Sequence, residues 1–445
     1  MSFNSDVLLQ ALDALSTEAP PPRRYVIAFS GGLDSTVLLH ALHAAAQSRG
    51  VPLLAVHIDH GMQAESAAWA EHCAAVAGQL GVEYAQQRVE VGLAGGKGPE
   101  AAARDARYAA LATVLEDGDW LLSAHHQDDQ AETLLLNLLR GSGPAGLAGI
   151  AGIRPFANGW LARPMLAVKQ DELLEYAKAN DLDWIDDPSN DNAEFDRNYL
   201  RHEVLPKIEA RWPGAAERLH RSSRIAADAA AMLDDIAALD LEAVGGRVDR
   251  LELPALQALP ERRQKNVLRY AIRQRGLAAP SAAHIDRVLA EVIKARVDAE
   301  PVLSWADVEI RRFRDRLYIL RAKDRQATPQ SLVIAPGSTQ VLGSGLGTLR
   351  LEQDSASGLD DKLVSRGLEL RYRQGGEKIR PLDQSHTKTL KNLLNEASIV
   401  PWMRDRIPLL YAGEELVAVA DLWLAQDAVR SPGVAVHWDD RPPLH

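Results

Sequence analysis

Ser30-Gly31-Gly32-Leu33-Asp34-Ser35 follows the apolar run Tyr25-Val26-Ile27-Ala28-Phe29 and precedes a helical pattern, so it reads as a strand, a glycine turn and a helix start. Such a junction takes phosphate. Two glycines bring bare amide N–H groups close to a ligand, and the helix N-terminus adds unsatisfied donors and the positive end of a dipole. Ser30, Ser35 and Thr36 add hydroxyls. The stretch holds no lysine, which sets it apart from the Gly-Lys-Ser/Thr loop that grips terminal nucleotide phosphates. A carboxylate beside phosphate oxygens is tolerable with a metal between them, so Asp34 reads as a magnesium ligand bridging to a pyrophosphate. The plainer alternative is that Asp34 or Ser35 caps the helix with no ligand.

A second constellation runs Ser123-Ala124-His125-His126-Gln127-Asp128-Asp129-Gln130-Ala131-Glu132-Thr133. If a helix begins near Gln127, Asp128 and Asp129 share a face with Glu132, four and three residues on. Two imidazoles and three acids without evident cationic partners are costly unless they hold something positive: magnesium or a substrate ammonium. A His-rich zinc site is the competing reading, set back by the open spacing and the lack of thiolates. First-turn acids of an ordinary helix would account for Asp128 and Asp129 but leave His125 and His126 unexplained. Val56-His57-Ile58-Asp59-His60-Gly61 ends another apolar run, where the backbone edge suits adenine; a lone His57 there also fits a packing role.

These residues need elements to position them. Tyr25–Phe29, Leu53–Ile58, Glu83–Val89 and Trp120–Ala124 read as strands, and Ser35–Ser48, Ala64–Leu80 and Pro99–Glu116 as the helices between them. That alternation implies a doubly wound parallel sheet with its ligand crevice at the carboxyl ends of the strands, where the polar residues fall. At 445 residues two or three domains are expected. The boundaries are placed at 1–215 for an α/β catalytic domain, 216–322 for a mainly helical linker domain closed by strands Val308–Phe313 and Leu317–Leu320, and 331–445 for a small α/β module. Helices are expected over about Glu217–Leu241, Glu261–Arg275 and Ser281–Lys294. The proline-bearing stretch Arg321–Gln330 divides the last two domains.

No apolar run is long enough to span a membrane, and Met1–Pro20 lacks the regions of a signal peptide, so a soluble cytoplasmic protein is expected. The single cysteine, Cys73, allows neither an internal disulfide nor a thiolate cluster and reads as a small core residue. A net charge of −11 conceals basic clusters. Arg197–Arg224 carries seven Lys/Arg against three acids, Glu261–Arg275 six against one and Arg366–Pro408 nine against five. Any one would pass as a solvated face; three in succession favour a distributed phosphate-binding surface.

The loop Ser30–Ser35 resembles the SGGxDS loop of the PP-loop ATP pyrophosphatases, whose Rossmann-like domain splits ATP into AMP and pyrophosphate and activates a carbonyl oxygen as an adenylate. A closer resemblance, in order and spacing, is to the tRNA(Ile)-lysidine synthase family. It rests on His125–Thr133, Arg140-Gly141-Ser142-Gly143, Gly146-Leu147 with Gly149, Arg163-Pro164, Asp187-Pro188-Ser189-Asn190 and Arg197-Asn198-Tyr199-Leu200-Arg201. Glu100, Arg104, Arg107 and Tyr108 fit its Glu-x-x-x-Arg-x-x-Arg-Tyr pattern, and Arg371–Lys378, Leu390–Leu394, Pro401-Trp402 and Arg406–Leu409 resemble its distal tRNA-binding domain. Lys391-Asn392 departs from the pattern where a doubled lysine is usual.

The resemblance implies ATP and Mg2+ as cofactors, L-lysine and tRNA(Ile) with a CAU anticodon as substrates, and no membrane; it allows a homodimer. ATP would adenylate the carbon 2 carbonyl oxygen of the wobble cytidine, and the lysine side-chain amine would then displace AMP. Catalysis would fall to Asp34, His125, Asp128, Asp129 and Glu132, with ATP at Ser30, Gly31, Gly32, Leu33, Asp34, Ser35 and His57 and the metal on Asp34. Arg104, Arg107, Arg197, Arg201, Arg371, Arg373 and Lys378 would contact tRNA. A PP-loop synthetase aminating a small molecule is the alternative, but no N-terminal cysteine nucleophile for a glutaminase is present. A catalytically silent RNA-binding relative would show an eroded loop, and this loop is intact.

Overall fold

The computed structural model describes residues 2–59, 66–89, 99–186, 195–296, 299–322, 332–334, 337–343, 345–354, 356–382 and 384–445, without the side chains of 99–101 and 354. His60, Gly61, Asp187-Pro188-Ser189-Asn190, residues 323–330 of the expected linker and the Glu100 side chain lie outside that description. The chain divides into two compact units, Met1–Met232 and Leu233–His445.

In the first unit β1 (Tyr25–Ala28), β2 (Leu53–Asp59), β3 (Glu83–Arg88) and β4 (Trp120–Leu122) alternate with α2 (Leu33–Arg49), α3 (Ser66–Leu80) and α4 (Pro99–Val114), after an initial α1 (Ser5–Leu15). The central strands are covered on both faces, which is why they read as unbroken apolar runs. Strand β4 leads into α5 (Gln127–Leu139); α6 (Pro144–Leu147) and the hairpin β5 (Ile153–Phe156) and β6 (Gly159–Ala162) follow, then α7 (Gln170–Ala179). The sheet order is β3-β2-β1-β4-β6-β5, parallel except for β5 at the edge. The chain winds outward from β1 to β3 and then returns to lay β4 on the other side of β1. The crevice at the carboxyl ends of β1 and β4 is therefore the switch point where such sheets hold ligands. Both polar constellations begin there, one after β1 and the other after β4.

Beyond α7, a short helix α8 (Asp196–Tyr199) continues through one π-helical turn, Leu200–Val204, into α9 (Leu205–Arg211), and α10 (Ala215–Ala243) follows. The second unit contains two hydrophobic clusters, one spanning Leu241 to Ile319 and the other Tyr318 to Leu444. The first joins α11 (Glu261–Gln274), whose apolar face buries Val267, Leu268, Ala271 and Ile272, to a four-stranded sheet that contains Val308–Phe313 and Arg316–Arg321. That sheet also takes in Arg250–Glu252 and Val302–Trp305, too short to stand out in the sequence. The helix expected over Ser281–Lys294 is α-helical only to Arg287 and then π-helical to Ile293. The second cluster is richer in strand than in helix: two five-stranded sheets and a two-stranded ribbon surround Leu390–Glu396. No helix of the described residues is long and apolar enough to cross a membrane.

Candidate active site

Gly32, with an extended backbone, is the N-cap of α2 and offers the helix no side-chain cap. The hydroxyls beside it tie the turn to itself: Ser35 Oγ donates to the Gly32 carbonyl at 3.0 Å and Thr36 Oγ1 to the Gly31 carbonyl at 3.2 Å. Neither Asp34 nor Ser35 caps the helix, so its first N–H groups remain open to an anion. Gly31 is required twice over. Its φ is +83°, and a Cβ there would stand 2.8 Å from both Cys73 Sγ and Ile185 Cδ1. The Ile185 N–H also donates to the Gly31 carbonyl at 2.9 Å, strapping the loop from the far side. His57 is buried at the end of β2, with its Nδ1 3.0 Å from the Phe29 carbonyl. Ser30, Gly32, Leu33, Asp34, Ser35 and His57 all line one cavity of about 780 Å³.

The second constellation faces the same cavity through His125 and Asp129. Helix α5 starts at Gln127 as its spacing requires, with His126 as N-cap and the His126 N–H donating to Asp129 Oδ2 at 3.0 Å. His126 is also the cation of the loop: its Nε2 lies 3.6 Å from Asp34 Oδ2 and 3.5 Å from Asp129 Oδ2, and its Nδ1 3.4 Å from Asp128 Oδ2. Asp128 is further fixed by the Gln170 N–H at 3.0 Å. The expectation that these acids lack cationic partners is wrong. Glu132 is wholly buried and receives Arg197 Nε and Arg201 Nε, each at 2.6 Å, and Arg201 Nη2 at 3.2 Å. Both guanidinium groups also reach Asp129 Oδ1, at 3.0 and 3.2 Å. Two arginines four apart thus meet two carboxylates three apart as a closed quartet, the arrangement in which a buried charge is tolerated.

The two neighbouring imidazoles are driven in opposite directions. Burial, aided by the charges of Arg163, Arg197 and Arg107, pushes His125 down to about 3 despite Asp129, so it is neutral and shares a 2.8 Å hydrogen bond with Ser123 Oγ. Burial also opposes charge on His126, but the carboxylates of Asp128, Asp34 and Asp129 outweigh it and raise this ring to about 10. A doubly protonated ring cannot accept from the Asp128 N–H, 3.3 Å from Nδ1, so the carboxylate is the partner that the charge selects. Despite burial, His126 and the Gln170 N–H lower Asp128, and His126 and Arg197 bring Asp129 to about 2.

Because the folded-state value of His126 lies above its ordinary 6.5, its stabilisation is complete below that pH and is lost as pH rises through about 10. Between roughly pH 7 and pH 10.5 the urea midpoint of the wild type should therefore fall by the equivalent of a few kcal/mol more than that of His126→Gln. Equal slopes for the two proteins would show that this ring is uncharged.

Comparison with known proteins agrees with this geometry. The family described as PP-loop domain matches residues 5–208, the TilS substrate binding domain residues 251–318 and the TilS substrate C-terminal domain residues 368–438. The tRNA(Ile)-lysidine synthase of Alkalilimnicola ehrlichii is 41% identical over 95% of this chain and 95% of its own. The chain belongs to the tRNA(Ile)-lysidine synthase family. The synthase of that name from Coxiella burnetii is 39% identical over 94% of this chain and 92% of its own, and that of Pseudomonas putida 42% identical over 89% and 92%. Members of this family are PP-loop, ATP-dependent ligases, and the PP-loop match over residues 5–208 spans both constellations described above.

Against the family's pattern the arginines separate. Arg197 and Arg201 line the cavity within the quartet, Arg107 lines it from α4, and Arg104 is exposed on the same helix, its guanidinium 5.7 Å from the Tyr108 ring. In the second unit Arg371 bonds Glu369 and Glu414 and lies over the Tyr411 ring, Arg373 bonds Asp405 at 2.9 Å, and Lys378 is exposed. Gln130 has a structural role that its sequence neighbours do not signal. Its side-chain amide donates to the Ala148 and Ile150 carbonyls and to Ser223 Oγ, and its Oε1 accepts from the Ile150 N–H. Gly149, at φ +68°, belongs to the family's motif for a reason visible here: a Cβ would sit 2.6 Å from Gln130 Oε1.

Proposed function

We infer that the chain joins L-lysine to carbon 2 of the wobble cytidine in tRNA(Ile) bearing a CAU anticodon, forming lysidine. The observation that carries this reading is one cavity lined both by an open phosphate-binding helix start and, beside His125, by Asp129, Arg197 and Arg201 at the edge of a buried carboxylate–arginine quartet. Cytidine O2 attacks the α-phosphorus of ATP and pyrophosphate leaves. The lysine side-chain nitrogen then attacks C2, the C2–O2 bond breaks and AMP departs with that oxygen.

The loop from Ser30 to Ser35 binds the phosphates through its amide groups, and His126, buried behind it, holds the Asp34 carboxylate in place. Magnesium neutralises the departing pyrophosphate when bound. Asp34 fits a metal site, because its Oδ1 is buried without any hydrogen-bond partner while Oδ2 faces His126. One carboxylate with phosphate oxygens and waters is a usual magnesium shell. Asp129, the carboxylate of the quartet that lines the cavity, is the one that meets the ammonium of lysine, and neutral His125 beside it can accept a hydrogen bond from the amine. The domain assignment 1–215, 216–322 and 331–445 completes the proposal, together with a cytoplasmic location where lysine, ATP and tRNA meet; a homodimer is not needed by it.

The test is incubation with radiolabelled lysine, ATP and magnesium, with and without a CAU-anticodon transcript. Label should enter the transcript only, with one AMP and one pyrophosphate per lysine. Label released in a small amide instead would favour a small-molecule synthetase. For distal tRNA contact, Arg371→Ala, Arg373→Ala and Lys378→Ala combined should lower the salt slope of tRNA binding by about one rather than three, because both arginines already hold carboxylates. An unchanged slope would make this cluster a solvated face. A drop near three would mean that the arginines leave their carboxylates for phosphates.

A further inference from the structure

Arg107 stands apart from every other charged group of the cavity. Arg197 and Arg201 are committed to Asp129 and Glu132, and His126 to three carboxylates. Arg107 is half-buried in the cavity wall, and its guanidinium lies 5.7 Å from the Tyr108 ring. Among the described residues no carboxylate pairs with it. Burial lowers its pKa, the neighbouring charges of Arg104 and Arg197 lower it further, and only Tyr108 opposes them. Removing a guanidinium from water beside two other cations is unfavourable unless an anion arrives with the substrate.

We propose that Arg107 binds the α-carboxylate of the incoming lysine and so selects a free amino acid over other primary amines. This rests on the lysine reading above. A free amino acid buried in the cavity brings one carboxylate that must be neutralised, and a guanidinium fork matches it with two parallel hydrogen bonds. The ATP phosphates have their own donors at the start of α2. The diester phosphates of a nucleotide that enters base-first stay outside with its backbone, whereas Arg107 lines the cavity together with the buried Leu111 and Leu121 and with His125. His125 lies within its electrostatic reach, and Asp129 lines the same cavity, so a lysine held at Arg107 by its carboxylate has a carboxylate available to its amine there.

The experiment compares L-lysine with L-lysinamide, in which the carboxylate is a neutral amide, for wild type, Arg107→Gln and Arg107→Lys at saturating ATP and transcript. Wild type should prefer lysine by roughly 10- to 100-fold in kcat/KM, the range expected for a charge-assisted pair. Arg107→Gln should lose most of that preference through the KM for lysine, with a much smaller change for lysinamide, and Arg107→Lys should retain part of it. Wild type using both amines equally would overturn the proposal and leave lysidine formation standing. So would a Gln variant that preserves the ratio or raises only the KM for the transcript, the latter placing Arg107 on tRNA phosphate. A wild type that incorporates no lysine at all removes both readings. Because the ratio is read within each protein, partial unfolding of a variant leaves it unaffected.

Discussion

Replacing Glu132 by Gln is expected to lower both the stability of the first unit and the use of lysine, whereas replacing an exposed glutamate would do neither. Glu132 has no solvent exposure and holds two guanidinium groups through both oxygens. The amide keeps the shape but leaves Arg197 and Arg201 with only Asp129 to balance them. Removing one member of a buried ion pair costs about 3–5 kcal/mol, and Gln, which still accepts a hydrogen bond, should fall toward the lower end. Urea denaturation checks this, and lysine titration at a temperature where the variant is folded checks the chemistry. We expect the lysine KM to rise at least about tenfold while pyrophosphate release persists. Lost stability with normal lysine dependence would reduce the quartet to a strut; wild-type stability would show that the arginines are not held by Glu132.

Asp34→Asn should abolish pyrophosphate release, with a loss on the order of 10²–10³-fold or more, and leave tRNA binding in place. The substitution removes the charge of the orphaned Oδ1 and deprives His126 of one carboxylate. The two consequences are separable. If metal binding matters, the magnesium dependence of the residual rate shifts to higher concentration; if the His126 contact matters, the ring titrates lower than in the wild type while the magnesium dependence stays put. Pyrophosphate release near the wild-type rate would remove Asp34 from the reaction altogether.

What the sequence discloses about this site is local. The turn after β1 is legible because consecutive glycines and hydroxyls allow few other conformations, and the start of α5 because acids at three- and four-residue spacing require a common face. The parallel sheet follows from apolar runs alternating with helical ones. The quartet is not legible, because Arg197 and Arg201 meet Asp129 and Glu132 across 65 to 72 residues, and no periodicity reports that separation. A hint was available in the four-residue spacing of the two arginines, which places them on one helical face. The opposed charge states of His125 and His126 are likewise invisible, since the residues are neighbours and differ only in the groups that converge on each ring. Strands of two to four residues, which make up much of the second unit, carry too little alternation to be read.

The quartet also sets where this protein can be cut. The familiar landmark of the catalytic half is its glycine loop, yet the counter-charges that let α5 seat Glu132 arrive only with Arg197 and Arg201. A fragment ended before Asp196, or a hybrid joined between α5 and α8, would keep every recognisable nucleotide motif and still bury Glu132 with nothing opposite it and leave Asp129 to His126 alone. The smallest piece that can be exchanged between relatives without breaking the site therefore runs unbroken from the strand before the loop to the end of α9. During synthesis, too, the pocket is completed last from its carboxyl side, once the turn that carries Arg201 has left the ribosome.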